Sequence, residues 1–336
     1  MNSKKIITIL IVLIAVVLLS GIGVTSFFVI RSLNETKTEE VEKEDKKEET
    51  EEKEEVEEEE EPEEFSYIPI MYKVCDSDSC IHILGSMHVG DERITKYDPK
   101  VLEIYNNSEA IAVELSTEEM NKMDVKDFLL KDNSTIEDHI SEELNNKLIE
   151  FSKKHKSYVY DVYKHYNLGM NSTAIENILY QELGFTTEGA DNYFIKKAEK
   201  EGKEVISIEK IEDQLKPLVG FSDEFYAKQI NQTLSNYEMA KISTRLLYNI
   251  YLKGDEKKLT SLLSQTYSDS SNEEEKKYVK ELILDRNDTM TNAAKSYLEQ
   301  NKNVLIIVGA AHLVHESNGM IPSLSNDDLY TVTRVE

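Results

Sequence analysis

From position 67 onward the apolar residues fall into short runs separated by long stretches of helical period. Residues 67–74 and 81–84 flank the turn-forming segment Asp-Ser-Asp-Ser at 76–79 and read as a β-hairpin. Further strands are predicted at 110–116 (Ala-Ile-Ala-Val-Glu-Leu-Ser), 204–209 (Glu-Val-Ile-Ser-Ile-Glu) and 304–308 (Val-Leu-Ile-Ile-Val), with a last, alternating one at 329–335. A charged helical stretch, 117–201, separates the strands at 110 and 204, and another, 223–300, precedes the strand at 304. Strands alternating with helices imply the α/β class, with a central mixed, mostly parallel sheet and long helical insertions that form a cap. No internal repeat of 20–50 residues is visible.

Upstream of the hairpin the pattern changes twice. Every residue from 6 to 19 is apolar or Thr, and the apolar character continues to Ile30, a length at which about 20 residues span a bilayer. Lys4 and Lys5 on one side, against Arg31 and an acidic run on the other, predict a cytoplasmic N-terminus at 1–5, a single-pass signal-anchor at 6–30 in contact with the lipid bilayer, and an extracytoplasmic body. A cleaved signal peptide, with Gly21 and Gly23 near its cleavage site, is the alternative and would make the protein secreted. Residues 31–64 then read as an acidic low-complexity linker, too poor in apolar side chains to fold alone.

That linker also explains the charge. Residues 35–64 carry 19 acidic and 5 basic side chains, a net of −14 out of the chain's −26. The body at 65–336 is left with an ordinary acidic balance, which argues against a nucleic-acid partner, since phosphates demand a basic face. Cys75 and Cys80 are the chain's two cysteines and face each other across the predicted hairpin end. Outside the cytoplasm such a pair is a disulfide candidate, with two unpaired thiols beside a turn as the alternative.

In open α/β sheets ligands bind outside the carboxyl ends of the strands, so the residues closing each apolar run are the ones to inspect. They are His88, Glu114, Glu209 and His312. Two of them end the same grammar, strand then Gly-x-x-His, at 85–88 and 309–312, with the histidines 224 residues apart in sequence. Arg286 falls on the helical face marked by positions 283, 290, 294 and 297. A guanidinium there needs an anionic partner: a core carboxylate, a site carboxylate or a substrate oxyanion. Asp191 reads most simply as the N-cap of a helix ending at Gly202. His82, His139, His155 and His165 sit in a strand body or polar helical context and read as structural; His315 stands three residues after His312.

Gly85-Ser-Met-His88, the strand ending in Glu114, Gly189-Ala-Asp191, the segment 208–214 (Ile-Glu-Lys-Ile-Glu-Asp-Gln), Asp285-Arg-Asn287 and the segment 309–313 (Gly-Ala-Ala-His-Leu) occur in an order that resembles the TraB/GumN family. That family includes Tiki-type proteins and is distantly similar to erythromycin esterases and ChaN. The resemblance covers the whole body, and it departs from the family's usual Leu-Glu-Thr at Ile-Glu-Lys around Glu209.

The resemblance implies an α/β fold whose site combines both Gly-x-x-His motifs, the strand-end glutamate and the arginine. It maps His88, Glu114 and His312 to metal or acid/base positions and Arg286 to a charge-stabilising one. Beside a bound ion, Glu209 is the expected general base. Gly85, Ser86, Asp191, Asn287 and Gly309 become candidates for substrate contacts. The expected activity is a membrane-anchored, metal-dependent hydrolase of peptidase type acting on a peptide or protein, with Zn²⁺, Mn²⁺ or Co²⁺ as the divalent ion. Two alternatives stay open: a non-catalytic binder that inhibits a peptide pheromone in the same crevice, and a metal-free, esterase-like hydrolase. Haem binding is a further possibility by analogy to ChaN.

Overall fold

A computed structural model of the chain describes residues 67–335, apart from Asp132, 269–272 and Ser317. The predicted N-terminus, anchor and linker at 1–5, 6–30 and 31–64 lie outside the described residues. Among those described, no helix is long and apolar enough to cross a membrane.

Six strands form one sheet: β1 (Met71–Cys75), β2 (Cys80–Ser86), β3 (Ala110–Val113), β4 (Glu204–Ser207), β5 (Val304–Gly309) and β6 (Thr331–Arg334), in the order β4-β3-β5-β2-β1-β6. The first four in that order run parallel, while β1 lies antiparallel to both β2 and β6. The chain is therefore an α/β protein with a mixed sheet, as its alternation of strands and helices predicts. The hairpin pairs Cys75 directly with Cys80, and a disulfide joins them.

Around the sheet lie α1 (Pro99–Asn107), α2 (Leu168–Glu182), α3 (Ala190–Glu201), α4 (Ile211–Val219), α5 (Tyr237–Leu252), α6 (Glu256–Ser268), α7 (Asp285–Glu299) and α8 (Ala310–Val314). β5 is apolar and buried along its whole length because both sheet faces are covered. Ile306 and Val308 pack with Tyr248 and Tyr251 of α5 and Met290 and Ala294 of α7, whereas Leu305 and Ile307 pack with Tyr105 of α1 and Phe194 of α3. A separate apolar cluster, including Leu148, Phe151, Ile175 and Ile230, is built from helices and loops alone and is the core of the cap.

Two local expectations change. The strands at 110 and 204 end earlier than predicted, which puts Glu114 and Glu209 just beyond the ladder. Asp191 is not the N-cap of α3: Gly189 takes that place without a side-chain bond, and Asp191 is the second helical residue, 3% exposed. The far end of that helix is as predicted, with Gly202 in the left-handed region at φ 71°.

Candidate functional site

Because β5 is inserted between β2 and β3, the chain segments leaving Ser86, Val113 and Gly309 emerge side by side at the carboxyl edge of the parallel strands. The two Gly-x-x-His motifs meet there but differ in shape. After β2 the chain continues as an irregular loop to His88, while after β5 it turns at once into α8, with His312 in the third helical position. Both rings are buried, at 4% and 3% exposure.

Glu114 is the hub between them. Its Oε1 accepts from the Gly309 backbone N–H at 2.6 Å and lies 3.7 Å from His88 Nε2 and 3.9 Å from His312 Nε2. Its Oε2 accepts from Arg286 Nη2 at 2.5 Å and from Gln214 Nε2 at 3.3 Å. Gly309 is the floor of this cluster: a Cβ there would lie 3.2 Å from Glu114 Oε1 and 3.5 Å from His88 Nε2. Any larger residue would occupy the space between the three groups.

Arg286 reaches the cluster from α7, directly after a π-helical turn at Lys280–Leu284. Asn318 Nδ2 donates to the Leu284 carbonyl at the end of that turn. Arg286 Nε and Nη2 donate to the two oxygens of Glu209 at 2.8 Å each, Nη2 also reaches Glu114, and Nη1 donates to Leu282 O at 3.0 Å. Burial works against its charge, but Glu209 and Glu114 outweigh it and raise the guanidinium pKa further. Glu209 is buried behind Arg286, and its Oε2 takes a further bond from Gln214 at 2.9 Å.

The two histidines are held differently. Asn287 Oδ1 lies 2.7 Å from His312 Nδ1, while Asn287 Nδ2 donates to Asn318. With the amide so oriented, the ring carries its proton on Nδ1 and presents a bare Nε2 to Glu114. Burial, then the Arg286 charge, press the His312 pKa well below the ordinary range, so the ring is neutral. His88 Nδ1 lies 3.0 Å from Asp191 Oδ2, close enough to pair but poorly aligned for a hydrogen bond. Burial opposes a charge on His88, yet Asp191 and Glu114 prevail and raise its pKa.

A small cavity of about 40 Å³ opens on these groups. It has room for a water or for an ion with its water. Ser86, Gly309 and the site histidines form its polar side, and Leu247, Tyr251, Leu259 and Leu263 from α5 and α6 its apolar side. Ser86 Oγ is buried there with no hydrogen-bond partner among the described residues.

The structure thus gathers His88, Glu114, Arg286, His312, Ser86 and Gly309 on the cavity wall, with Glu209, Asp191 and Asn287 one contact further out. Gly85 packs under α8, where a Cβ would meet Ala310 at 3.1 Å. His139 pairs with Asp223 and His155 with Glu182, both away from the site, and His315 closes α8 outside the cavity wall. Gln214 and Asn318 carry roles that the sequence reading does not assign. For Gln214 a signal existed: with Ile211 and Leu218 it lies on the buried face of α4, a polar residue on an apolar stripe.

No curated protein and no solved structure matches the chain. The sequence model of the TraB/PrgY/gumN family matches residues 70–334, from the opening strand of the hairpin to the last strand of the sheet, and the chain belongs to that family.

Proposed function

We propose that the protein is a metal-dependent hydrolase of peptidase type, with His88, Glu114 and His312 holding a divalent ion. The observation that carries this reading is the convergence of two imidazole Nε2 atoms on one carboxylate oxygen, at 3.7 and 3.9 Å, over a glycine floor. Among the described residues no trio of His, Cys, Asp or Glu stands as a ready-made ligand set. The donor chemistry nonetheless fits, because two histidines and a carboxylate leave a position for water. At 3.7 and 3.9 Å from the Glu114 oxygen, the two Nε2 atoms would have to draw in slightly to hold one ion together with it. Such an ion supplies an acidified water and a Lewis acid for the scissile carbonyl.

The protein's own groups then take distinct parts. Arg286 commits four of its five N–H donors to Glu114, Glu209 and a backbone carbonyl, so its main part is to hold Glu114 in place. Glu209, bonded by Arg286 and Gln214, is a positioning residue rather than the general base. Ser86 Oγ, buried and unbonded on the cavity wall, is the free donor for substrate oxygen. The metal-free reading has one observation in its favour, the neutral His312 ring with a bare Nε2, which suits a general base. The Cys75–Cys80 disulfide supports an oxidising compartment, and hence an extracytoplasmic body behind the 6–30 anchor.

The test uses the full chain in detergent, incubated with Zn²⁺, Mn²⁺ or Co²⁺, desalted, and measured for metal content and for cleavage of a peptide library by mass spectrometry. About one ion per chain is expected, with new peptide termini that vanish on chelation. His88→Ala and His312→Ala should each lose both. Intact peptides that co-purify with the chain would establish the non-catalytic binder instead, and cleavage that survives chelation would establish metal-free hydrolysis.

A further inference from the structure

The contact between Asp191 and His88 has a construction of its own. Asp191 is 3% exposed, and neither carboxylate oxygen has a well-formed hydrogen bond among the described residues. A buried carboxylate in that state is costly unless a cationic or proton-bearing group faces it, and His88 Nδ1 stands at 3.0 Å. The chain delivers that carboxylate through a close backbone approach. A Cβ at Gly189 would lie 2.4 Å from both the His88 carbonyl carbon and the Met87 oxygen, so only glycine lets the head of α3 lie against the histidine's main chain.

Backbone bonds bracket the same contact on both sides. Ala190 N–H donates to Met87 O at 3.1 Å, and Gly90 and Thr186 exchange both of their backbone bonds, at 3.1 and 2.7 Å. The loop that carries His88 is therefore tied at residues 87 and 90 to the segment leading into α3, and Asp191 lies one residue beyond the first tie. None of these contacts involves Arg286, Glu209 or Gln214, so this is a support for His88 independent of the one that holds Glu114.

We propose that the Gly189-Ala190-Asp191 turn is a positioning device for His88: the Asp191 carboxylate takes the Nδ1 side of the ring and thereby aims Nε2 at Glu114 and the cavity. Asp191 is then a support for the ring rather than a substrate contact. It is the counterpart of Asn287, which fixes His312 from the opposite flank with an amide instead of a carboxylate. Outer partners of this kind set ring orientation and tautomer at metal-binding histidines. The second readout below rests on the ion-site reading, and the first does not.

The first readout is the ring-nitrogen NMR spectrum of the full chain labelled with ¹⁵N-histidine, recorded without metal at alkaline pH where imidazoles are neutral. The seven histidines are few enough for His88 to be identified by its loss in His88→Ala. The wild-type ring should carry its proton on Nδ1. Asp191→Ala should move the proton toward Nε2, and the near-isosteric Asp191→Asn, which keeps an acceptor oxygen, should move it less. The second readout is affinity for Zn²⁺ or Mn²⁺, expected to fall by about 10–100-fold in Asp191→Ala, with Asp191→Asn between it and wild type. A role in stability alone would lower the melting temperature of both variants and leave the His88 signals and the affinity unchanged, and that result overturns the proposal. A wild-type His88 protonated on Nε2 overturns it as well. If the wild type binds no metal, the ion-site reading fails while the NMR result still decides the role of Asp191.

Discussion

Arg286 shows how much one side chain carries here. It is 6% exposed and is the shared counter-charge of two buried carboxylates, Glu114 and Glu209. Removing it strands both, so Arg286→Ala should cost about 3–5 kcal/mol in a denaturant melt. Arg286→Lys should recover only part of that, because a point charge cannot serve both carboxylates as the planar fork does. An unchanged midpoint in Arg286→Ala would show that the two carboxylates are not held together as described. Glu176, on α2 in the cap, makes the opposite case, since burial pushes its carboxyl up to about 8. Between the 4.5 of an ordinary glutamate and 8, the folded state keeps a proton that the unfolded chain has released. This group therefore subtracts stability as pH rises through that window. Glu176→Gln should abolish the loss and stabilise the protein at pH 8 relative to pH 4.5, by about 1–2 kcal/mol because the side chain is only partly buried. A variant whose stability follows the wild type at every pH would refute it. Arg286 was legible in the sequence as a charge on an apolar helical face. Its partners were not, because no periodicity says which buried carboxylates a guanidinium will meet.

At the scale of elements, the cap depends on polar stitching as well as on apolar packing. Asn171 on α2 is fully buried, and its Nδ2 reaches the carbonyls of Tyr163, Tyr166 and Asn167 while its Oδ1 accepts from Tyr158. Asn171→Leu keeps the branched shape but is larger and abandons those groups in a dry interior. It should cost about 2–4 kcal/mol by thermal or chemical melt, whereas Asn145→Leu, at a half-buried position, should cost far less. A loss at Asn171 as small as that at Asn145 would mean that the Asn171 bonds contribute little. Elements also explain why the matched Gly-x-x-His motifs part company. The motif after β2 is held open by the backbone ties to 186–190, while the one after β5 is free to wind into α8. A four-residue pattern specifies neither outcome. The π-helical turn before Arg286 is likewise invisible to a 3.6-residue reading, since it displaces the face by a single residue.

At the scale of the whole molecule, the disulfide and the N-terminal charge pattern lead to one prediction about placement. If the body lies outside the membrane, an impermeant reductant followed by an impermeant thiol reagent should label Cys75 and Cys80 in intact cells. Labelling only after lysis would put the body inside and sink the extracytoplasmic reading. The sheet itself divides what was legible from what was not. Strand identity, the α/β class, the hairpin with its facing cysteines and the ionisable residues closing the strands all follow from the sequence, because apolar runs and turn chemistry are local. The insertion of β5 between β2 and β3 does not, since strand order depends on which edges remain open after the intervening helices have packed. That insertion brings His312 to Glu114 and His88 across 198 and 224 residues of chain. The residue types that could do chemistry were thus written in the sequence. Their division into a cavity wall of His88, Glu114 and His312 and an outer support of Asp191, Glu209, Gln214 and Asn287 was decided by tertiary packing, because burial and hydrogen-bond partners exist only once distant segments share one edge of the sheet.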